Sequence, residues 1–510
     1  MNYNLKFINL FFPYFFLFLI NFVSTKPCYS ENLFDINLKS EIKKGNLLIG
    51  LKRYLGNQKL SSLKNNILKF ETKNNLLEIF SANGIQYKSK KTNILFKKVP
   101  LKRPISYERL VLGPFASFES AKRKSKILEK AGLKPIITYP KDWELWLPLG
   151  TKNALKYNFK RKLVSYENEI IPFLQDDNTY RKLDGPIILN SDESIKINGV
   201  DYGKNFYIKK DSYGSWTLIQ KLSIDKYLNG VLPYEIGANS PLEALKAQAV
   251  IARTWALYNS DRFNADKYHL CITTQCQVYK PTTIKNTKIE KAINNTKDLI
   301  LVFENKTINA FYHGSNGGIS AEASESWKID GYPYLQSKID WFDKNSNNYL
   351  SMLDKENLTV FLNQDKSKFF GSDHYLFRWQ KKISHQEILN LLNKNYLINN
   401  SKRISDFKVL KRGISGRVTR LEIVMTSPSG SIILLKDDIR RYLKFLPSNL
   451  FIIDKTNDDF WLFRGGGFGH GVGLSQSGAI EMAKFGLTYE KILEHYYEGT
   501  ELDNIKNLTE

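Results

Sequence analysis

The chain has 510 residues, of which 42% are hydrophobic and 25% are charged, and its formal net charge is +24 at pH 7. This length predicts roughly two to four domains and provides enough chain for a large core. The lysines that produce the charge are scattered along the whole chain, and no basic module with interleaved aromatic residues is evident. The composition therefore predicts an attraction to anionic polymers and no nucleic-acid partner.

Residues 1–30 have the pattern of a secretory signal peptide. An apolar run from Ile8 to Val23 follows Lys6, as is typical of such signals. This run is shorter than the roughly 20 residues that span a bilayer, and no later stretch of the sequence is apolar enough to do so. We therefore expect cleavage after Ser30 and export to the periplasm or the cell envelope.

Residues 31–150 are predicted to form a small α/β region. The first part, residues 31–103, is rich in Lys and Asn and allows no assignment. Residues 107–140 are more regular: a strand, a helix that Ser117 caps and Gly132 ends, and a second strand follow one another. This order predicts a βαβ unit.

Trp143 and Trp146 follow the βαβ unit, and their rings either pack in a core or stack on a ligand. We expect a linker at residues 151–184, a larger domain at residues 185–502 and a short tail at residues 503–510. Strand patterns with turn residues between them open the larger domain and predict a small sheet.

A helix with clear sequence signals follows Glu235. Ser240 is predicted as its N-cap, Pro241 as its first residue, and Glu243 completes a capping box. Small and apolar residues recur at three- and four-residue steps, at Leu242, Leu245, Ala249, Ala252 and Ala256. This spacing predicts a helix that other elements approach closely, and therefore a buried one.

Polar residues are interleaved with those alanines. Lys246, Gln248 and Arg253 lie on the predicted helix, and burial of ionic groups is unfavourable unless they are paired or take part in chemistry. Two interpretations stay open: a satisfied core network, or a polar face presented to a cleft beside Glu235.

The segment after this helix contains His269, Cys271 and Cys276. If the signal is cleaved after Ser30, Cys271 and Cys276 are the two cysteines of the mature protein. In an oxidising compartment they are suited to a disulfide. Alternatively, the three residues supply three of the four ligands of a structural zinc site.

A Gly-rich turn that contains Ser315 and Gly317 follows a strand and would let the backbone approach a ligand closely. Glu322 and Glu325 come next and are either solvated loop charges, caps or a second carboxylate. Residues 345–450 have the strand and helix patterns of a sheet-forming subdomain.

Residues 465–473 contain six glycines, but no Lys with Ser or Thr follows them as a phosphate-binding loop requires. Tight backbone packing behind a cleft is the better interpretation, with His470 and Gln476 presented to a substrate. Two further helices, the first ended by Gly486 and the second capped by Thr488, close the domain.

Five of these segments resemble the stage II sporulation protein D family of bacterial lytic transglycosylases, which cut the glycan strands of peptidoglycan. The resemblance covers residues 185–502 and is carried by GVLPYEIG with SPLEALKAQAVIARTWAL, TTQCQVYKP, FYHGSNGGISAEASESW, YPYLQSKIDWFD and GGGFGHGVGLSQSGAIEMAKFG. The βαβ unit resembles the second half of a sporulation-related repeat, a domain that binds peptide-free glycan strands.

The resemblance implies that Glu235 is the catalytic residue. Substrate-binding residues are predicted at Lys246, Gln248, Arg253, Gln277, Tyr279, Ser315, Gly317, His470 and Gln476. Some members of the family hold zinc through His and Cys in the region of His269, Cys271 and Cys276. A related class, the amidase enhancers, uses the same fold to bind the wall or a cell-wall amidase, and is the alternative to an enzyme.

The chemistry of the chain agrees with a single catalytic carboxyl. No Gly-x-Ser-x-Gly motif occurs, and a cysteine nucleophile would have to stay reduced outside the cytoplasm. Most glycosidases need two carboxylates. A lytic transglycosylase needs one, because the 6-hydroxyl of the sugar is the nucleophile.

We therefore predict an α+β fold, in which mixed sheets surround a buried central helix and a small α/β region precedes them. The predicted function is cleavage of peptide-free glycan strands by Glu235, with structural zinc as the one candidate cofactor.

Overall fold

The computed structural model describes residues 37–57, 66–176, 179–281, 286–342, 351–394, 403–426, 430–456 and 459–507. The predicted signal segment lies outside these ranges. None of the helices within them is long and apolar enough to cross a membrane.

The described ranges contain α-helices and short turns of other helix types. The α-helices are α1 (Leu38–Lys43), α2 (Phe118–Lys130), α3 (Ile224–Leu232), α4 (Leu242–Tyr258), α5 (Thr287–Asn295), α6 (Ala323–Ser326), α7 (Lys355–Asn363), α8 (His385–Lys394), α9 (Asp437–Tyr442), α10 (Gln476–Lys484) and α11 (Tyr489–Tyr496). A π-helical turn, Pro233–Gly237, joins α3 to α4. Turns of 3₁₀-helix lie at Ala154–Tyr157, Asn264–Asp266, Lys366–Lys368 and Ile505–Asn507.

The strands are distributed over the whole described chain. They are β1 (Asn46–Leu55), β2 (Ile67–Glu71), β3 (Leu77–Ser81), β4 (Gln86–Ser89), β5 (Lys91–Phe115), β6 (Ile136–Thr138), β7 (Trp143–Pro148), β8 (Lys160–Asp176), β9 (Thr179–Lys182), β10 (Ile187–Asn190), β11 (Lys196–Ile197), β12 (Val200–Asp201), β13 (Phe206–Lys210), β14 (Trp216–Ser223), β15 (Leu270–Cys271), β16 (Leu299–Phe303), β17 (Lys306–Thr307), β18 (Tyr312–His313), β19 (Trp379–Ser384), β20 (Ile404–Arg412), β21 (Val418–Met425), β22 (Ser431–Leu435), β23 (Phe451–Lys455), β24 (Phe460–Gly465), β25 (Leu474–Ser475) and β26 (Glu501–Asn504). With the helices they form the α+β fold that the sequence predicts.

Two large sheets mix early and late parts of the chain. The first has the order β15-β1-β14-β13-β10-β3-β4, with β1 antiparallel to β14 and parallel to β15. The second has the order β12-β11-β2-β5-β7-β6, and β8 and β9 extend it from β5. Strands that precede residue 150 therefore share both sheets with strands that follow residue 185.

This mixing corrects the predicted linker at residues 151–184. The segment contains β8 and β9, and β8 pairs with β5 from Asn93 opposite Gln175 to Val111 opposite Lys160. Most side chains in the first half of β8 are exposed, so its sequence lacks the alternation by which a half-buried strand is recognised. The expected tail is also partly ordered, because β26 pairs with β16.

The central helix α4 is buried, as predicted. It contacts α3, α5, α10, α11 and β16, and its alanines are fully inaccessible to solvent at Ala244, Ala247, Ala249, Ala252 and Ala256. Small side chains at these positions let the neighbouring helices approach closely.

The start of α4 differs from the prediction. Pro241 is the N-cap, and the Ser240 hydroxyl donates a hydrogen bond to the carbonyl of Ile236 at 2.7 Å instead of capping the helix. Glu243 accepts from the Tyr489 backbone N–H at 2.9 Å. The predicted capping box is therefore wrong, because Ser240 bonds to a carbonyl four residues earlier and Glu243 is engaged by the distant backbone of Tyr489.

The βαβ unit is present and packs against the larger part of the fold. Ser117 caps α2 by accepting from the Ser120 N–H at 3.2 Å. From α2, Glu119 forms an ion pair with Arg262 at 2.5 Å, and Lys122 forms one with Asp261 at 2.8 Å.

A second hydrophobic core lies between α8, α9 and the sheets β19-β24-β23 and β20-β21-β22. The predicted subdomain at residues 345–450 corresponds to most of it, although β23 and β24 follow that range.

Trp143 should contribute to stability and not to ligand binding. Its side chain is 1% exposed, packs against Phe118 and Phe263, and donates to the Gln275 side chain at 2.9 Å. Trp143→Ala should lower the free energy of unfolding by about 3–5 kcal/mol, measured by urea denaturation. Leu163→Ala is the control, because Leu163 is 67% exposed. Equal stabilities of the two variants would contradict this packing.

Candidate active site

Glu235 lies on the π-helical turn between α3 and α4. A π-helical turn is rare and often marks a functional site. Gly237, with φ of +90°, ends it in the left-handed region that favours glycine. The turn places the Glu235 side chain outside both regular helices, facing the segment that follows β15.

Three groups meet the Glu235 carboxyl group. The Val278 backbone N–H donates to Oε1 at 2.5 Å, and the side chains of Tyr312 and Gln476 lie near enough to lower the pKa of the carboxyl group. Gln277 in turn donates to the Tyr312 hydroxyl at 3.0 Å. The carboxyl group is therefore held in one orientation by groups from three parts of the chain.

Burial and these three groups have opposite effects on Glu235. Burial raises the pKa of the carboxyl group, and Val278, Tyr312 and Gln476 lower it. The net effect is a pKa above the ordinary value. Glu235 is thus more readily protonated than an exposed glutamate, as a general acid requires.

Glu235 lines a cleft of about 320 Å³. The cleft is lined by Tyr312, His313 and Phe468, and also by residues of the βαβ unit, Ala116, Ser117 and Glu119. The small α/β unit is therefore part of this cleft and not a separate attachment.

Among the described residues, Glu119 is the second carboxylate that lines this cleft. Its ion pair with Arg262 neutralises it. Glu322 and Glu325 do not line the cleft. Glu325 is buried elsewhere, where the Ser415 hydroxyl and backbone N–H donate to it and burial raises its pKa.

The structure brings four of the predicted substrate-binding residues to the Glu235 environment. Gln476 approaches Glu235 and donates to Gln248 at 3.3 Å, and Gln277 donates to the Tyr312 hydroxyl. His470 lines the cleft, and burial together with the nearby Arg440 lowers its pKa to about 3, so its ring is neutral.

Three other predicted residues have structural surroundings. Lys246 pairs with Glu243 at 2.7 Å. Arg253 is buried and donates to the Leu299 carbonyl at 3.0 Å. Tyr279 is buried and stacks on Tyr227. Each side chain is occupied within the protein, so none of them is presented to the cleft.

Ser315 and Gly317 act on the cleft through the glycine-rich loop. The backbone of Ser315 exchanges two hydrogen bonds with Phe468, at 3.1 and 2.7 Å. Gly317 has φ of +70°, and a Cβ there would lie 2.6 Å from the backbone of Gly466. These contacts hold Phe468 at the cleft wall, as the prediction of tight packing behind the cleft requires.

The predicted zinc ligands do not fit a zinc site. Leu48 N–H donates to His269 Nδ1 at 2.9 Å, and Nε2 bonds to the Leu38 carbonyl at 3.0 Å, so neither ring nitrogen is left for a metal. Burial lowers the pKa of His269 to about 4. Within the described residues, no three His, Cys, Asp or Glu side chains are grouped to hold a metal ion.

The two cysteines remain close to each other. Both are free thiols, and the Cys271 backbone N–H donates to Cys276 Sγ at 2.9 Å. This proximity is compatible with the predicted disulfide. Cys276 also lines the cleft beside Glu235.

Two site residues, Tyr312 and His313, were not singled out from the sequence. Tyr312 approaches Glu235; burial raises the pKa of the Tyr312 hydroxyl, and the nearby Glu235 raises it further. His313 is 5% exposed, bonds through Nδ1 to the Val472 carbonyl at 3.1 Å, and its Nε2 has no hydrogen-bond partner in the described structure. Their position two and three residues before Ser315, in the FYHGSNGG segment, is the sequence signal that could have identified them.

Replacement of the buried carboxyl should change how stability depends on pH. Below the ordinary carboxyl pKa of 4.5, Glu235 is neutral and Glu235→Gln should match the wild type. As the pH rises through that value, the wild type must ionise a buried group and should become less stable than the variant, by about 1.4 kcal/mol per unit of pKa shift. Thermal unfolding at several pH values measures this, and a pH-independent difference would contradict the raised pKa.

Comparisons with known proteins agree with this architecture. Residues 212–303 match the family model described as stage II sporulation protein, and residues 321–473 match a domain of unknown function, DUF8618. The chain is 28% identical to an uncharacterized protein of Brachyspira hyodysenteriae over 69% of this chain and 88% of that protein.

Two named Bacillus subtilis proteins also match. The chain is 28% identical to the amidase enhancer, over 54% of this chain and 40% of the enhancer. It is 28% identical to stage II sporulation protein D, over 56% of this chain and 75% of that protein. The family model and these relatives together support an assignment of the chain to the stage II sporulation protein D family, over the residues that they match.

Proposed function

We propose that this protein is a peptidoglycan lytic transglycosylase that cleaves peptide-free glycan strands. The observation that carries the proposal is Glu235, a carboxyl group with a raised pKa in a cleft where Arg262 neutralises the other described carboxylate, Glu119. This arrangement suits a glycosidic cleavage in which one residue acts first as the acid and then as the base. Hydrolysis by two carboxylates needs both of them available.

Glu235 would act in two steps. The protonated carboxyl first donates its proton to the glycosidic oxygen, and the bond from C1 to that oxygen breaks. The resulting carboxylate then accepts the proton of the 6-hydroxyl, whose oxygen forms a new bond to C1 and closes a 1,6-anhydro ring. Glu235 is unchanged at the end, and no water is consumed.

The donors around Glu235 support the second step. Val278 donates to the carboxyl group at 2.5 Å, and the nearby Tyr312 and Gln476 also favour its charged form. Hydrogen bonds to a carboxylate are strongest when it is charged. They would stabilise Glu235 after it has given up its proton. Burial favours the protonated form before the reaction, so the site accommodates both states.

The relatives support a cell-wall-related function at a coarser level, through the names stage II sporulation protein D and amidase enhancer. A location in the cell envelope agrees with those names and with the predicted signal peptide. The enhancer name also supports a second candidate, a protein without catalysis that binds the wall and stimulates a cell-wall amidase.

Glu235→Gln should abolish cleavage while glycan binding persists. The amide keeps the shape of the side chain but transfers no proton, a step worth about a hundredfold to ten-thousandfold in rate. Purified protein is incubated with peptide-free glycan, and anhydro ends are measured by mass spectrometry. Glu243→Gln is the matched control, since Glu243 pairs with Lys246 and does not line the cleft.

Two outcomes would contradict the transglycosylase. An equal loss of activity in Glu119→Gln, with hydrolysed ends in the wild-type products, would indicate a hydrolase with two carboxylates. If the wild type yields no cleaved product and stimulates a cell-wall amidase as strongly as Glu235→Gln does, the enhancer function is favoured instead.

A further inference from the structure

A second cavity of about 450 Å³ adjoins the cleft that holds Glu235. Gln275, Trp327 and His470 line both cavities. The two therefore form one groove, and a chain of sugars bound at Glu235 would extend into the second cavity.

The charged groups of the second cavity differ in how they are satisfied. Arg441 pairs with Asp142 at 2.9 Å and donates to the Phe115 carbonyl. Asp437 accepts through Oδ2 from the hydroxyls of Ser117 and Ser120, at 2.6 and 2.8 Å, whereas its buried Oδ1 has no hydrogen-bond partner among the described residues. Arg441 is therefore already paired, and Asp437 is partly satisfied by the two serines.

Arg440 is different. Its Nε is buried, and within the described residues its guanidinium has no hydrogen bond and no ion pair. Burial lowers its pKa to about 10, so it remains charged at neutral pH. Arg440 as a whole is half-buried, and a partly buried guanidinium without a counter-charge is unfavourable, while its planar donors match a carboxylate.

The neighbouring side chains do not supply that counter-charge. The nearby Arg440 is among the causes that lower the pKa of both His313 and His470, so both rings are neutral. Lys444 lines the same cavity and adds a further positive charge. The cavity is thus suited to an anionic group of a ligand.

We propose that Arg440 binds the free lactyl carboxylate of a muramyl residue and is the residue that selects peptide-free strands. This inference rests on the proposed function. Where a stem peptide is attached, that carboxylate is an amide, which carries no charge and continues into the peptide. Removal of the peptide leaves a free carboxylate, which supplies the counter-charge that Arg440 lacks.

The first test changes the substrate and leaves the protein intact. Peptide-free strands are compared with the same strands after the carboxylates are converted to methylamides. The wild type should cleave the free form with a kcat/KM higher by about tenfold to a hundredfold, the size of one charge-assisted hydrogen-bonded contact. Equal rates for both substrates would overturn the proposal.

The second test changes the arginine. Arg440→Gln should reduce kcat/KM for free strands to the value for amidated strands and leave the amidated value unchanged, while Arg440→Lys keeps part of the preference. Arg420→Gln is the control, because Arg420 is exposed and lies outside the groove. A preference retained in Arg440→Gln would show that another group reads the carboxylate.

Binding separates this inference from the proposed reaction. Affinities of free and amidated strands are measured with Glu235→Gln, in which no cleavage interferes. If the wild type forms no anhydro product but Arg440→Gln removes the binding preference, the reaction is wrong and the role of Arg440 stands. If a phosphodiester wall polymer binds through Arg440 and amidation of the glycan changes nothing, the carboxylate is not the ligand.

Discussion

The close packing around α4 is the constraint on which the rest of the structure depends. Helices α3, α5, α10 and α11 and strand β16 all contact α4, and only small side chains let so many elements approach one helix. Two polar side chains of α4 bond to β16: Thr254 accepts from the Leu301 N–H at 3.0 Å, and Arg253 donates to the Leu299 carbonyl. Because α4 is fixed on every side, the turn that precedes it holds Glu235 at a defined place.

The groups around Glu235 come from distant parts of the sequence, and this explains the character of the site. Val278 follows β15, Tyr312 belongs to β18 and Gln476 begins α10. The parallel pairing of β18 with β25 places Tyr312 beside the start of α10. The donors are thus positioned by packing before a substrate arrives, and preorganised donors of this kind are an effective source of electrostatic stabilisation.

The sequence predicted those features that short segments determine. Ser117 caps α2, Gly132 follows it in the left-handed region, and the alanine spacing identified α4 as buried. Glu235 stood out because it is followed by a recognisable helix. Two features differ from the prediction. The hydroxyl of Ser240 bonds to the carbonyl of Ile236, four residues earlier, instead of capping α4. The proximity of His269 to two cysteines predicts a metal ligand, whereas its ring bonds to the backbone of Leu48 and Leu38, which are distant in sequence.

The position of β1 has a consequence for how the protein can be divided. Residues 46–55 lie in the interior of the first large sheet, between β14 and β15. A fragment that starts near residue 185 would keep the helix, Glu235 and all of the family motifs, yet it would leave β14 and β15 with unpaired edges, which are prone to aggregation. During synthesis, β1 is made more than a hundred residues before β14 and β15, so it stays unpaired until those strands have been made. The matched family segment is therefore not an independent folding unit, and the earliest strand of the described chain completes the sheet whose strand β14 leads through α3 to the turn that holds Glu235.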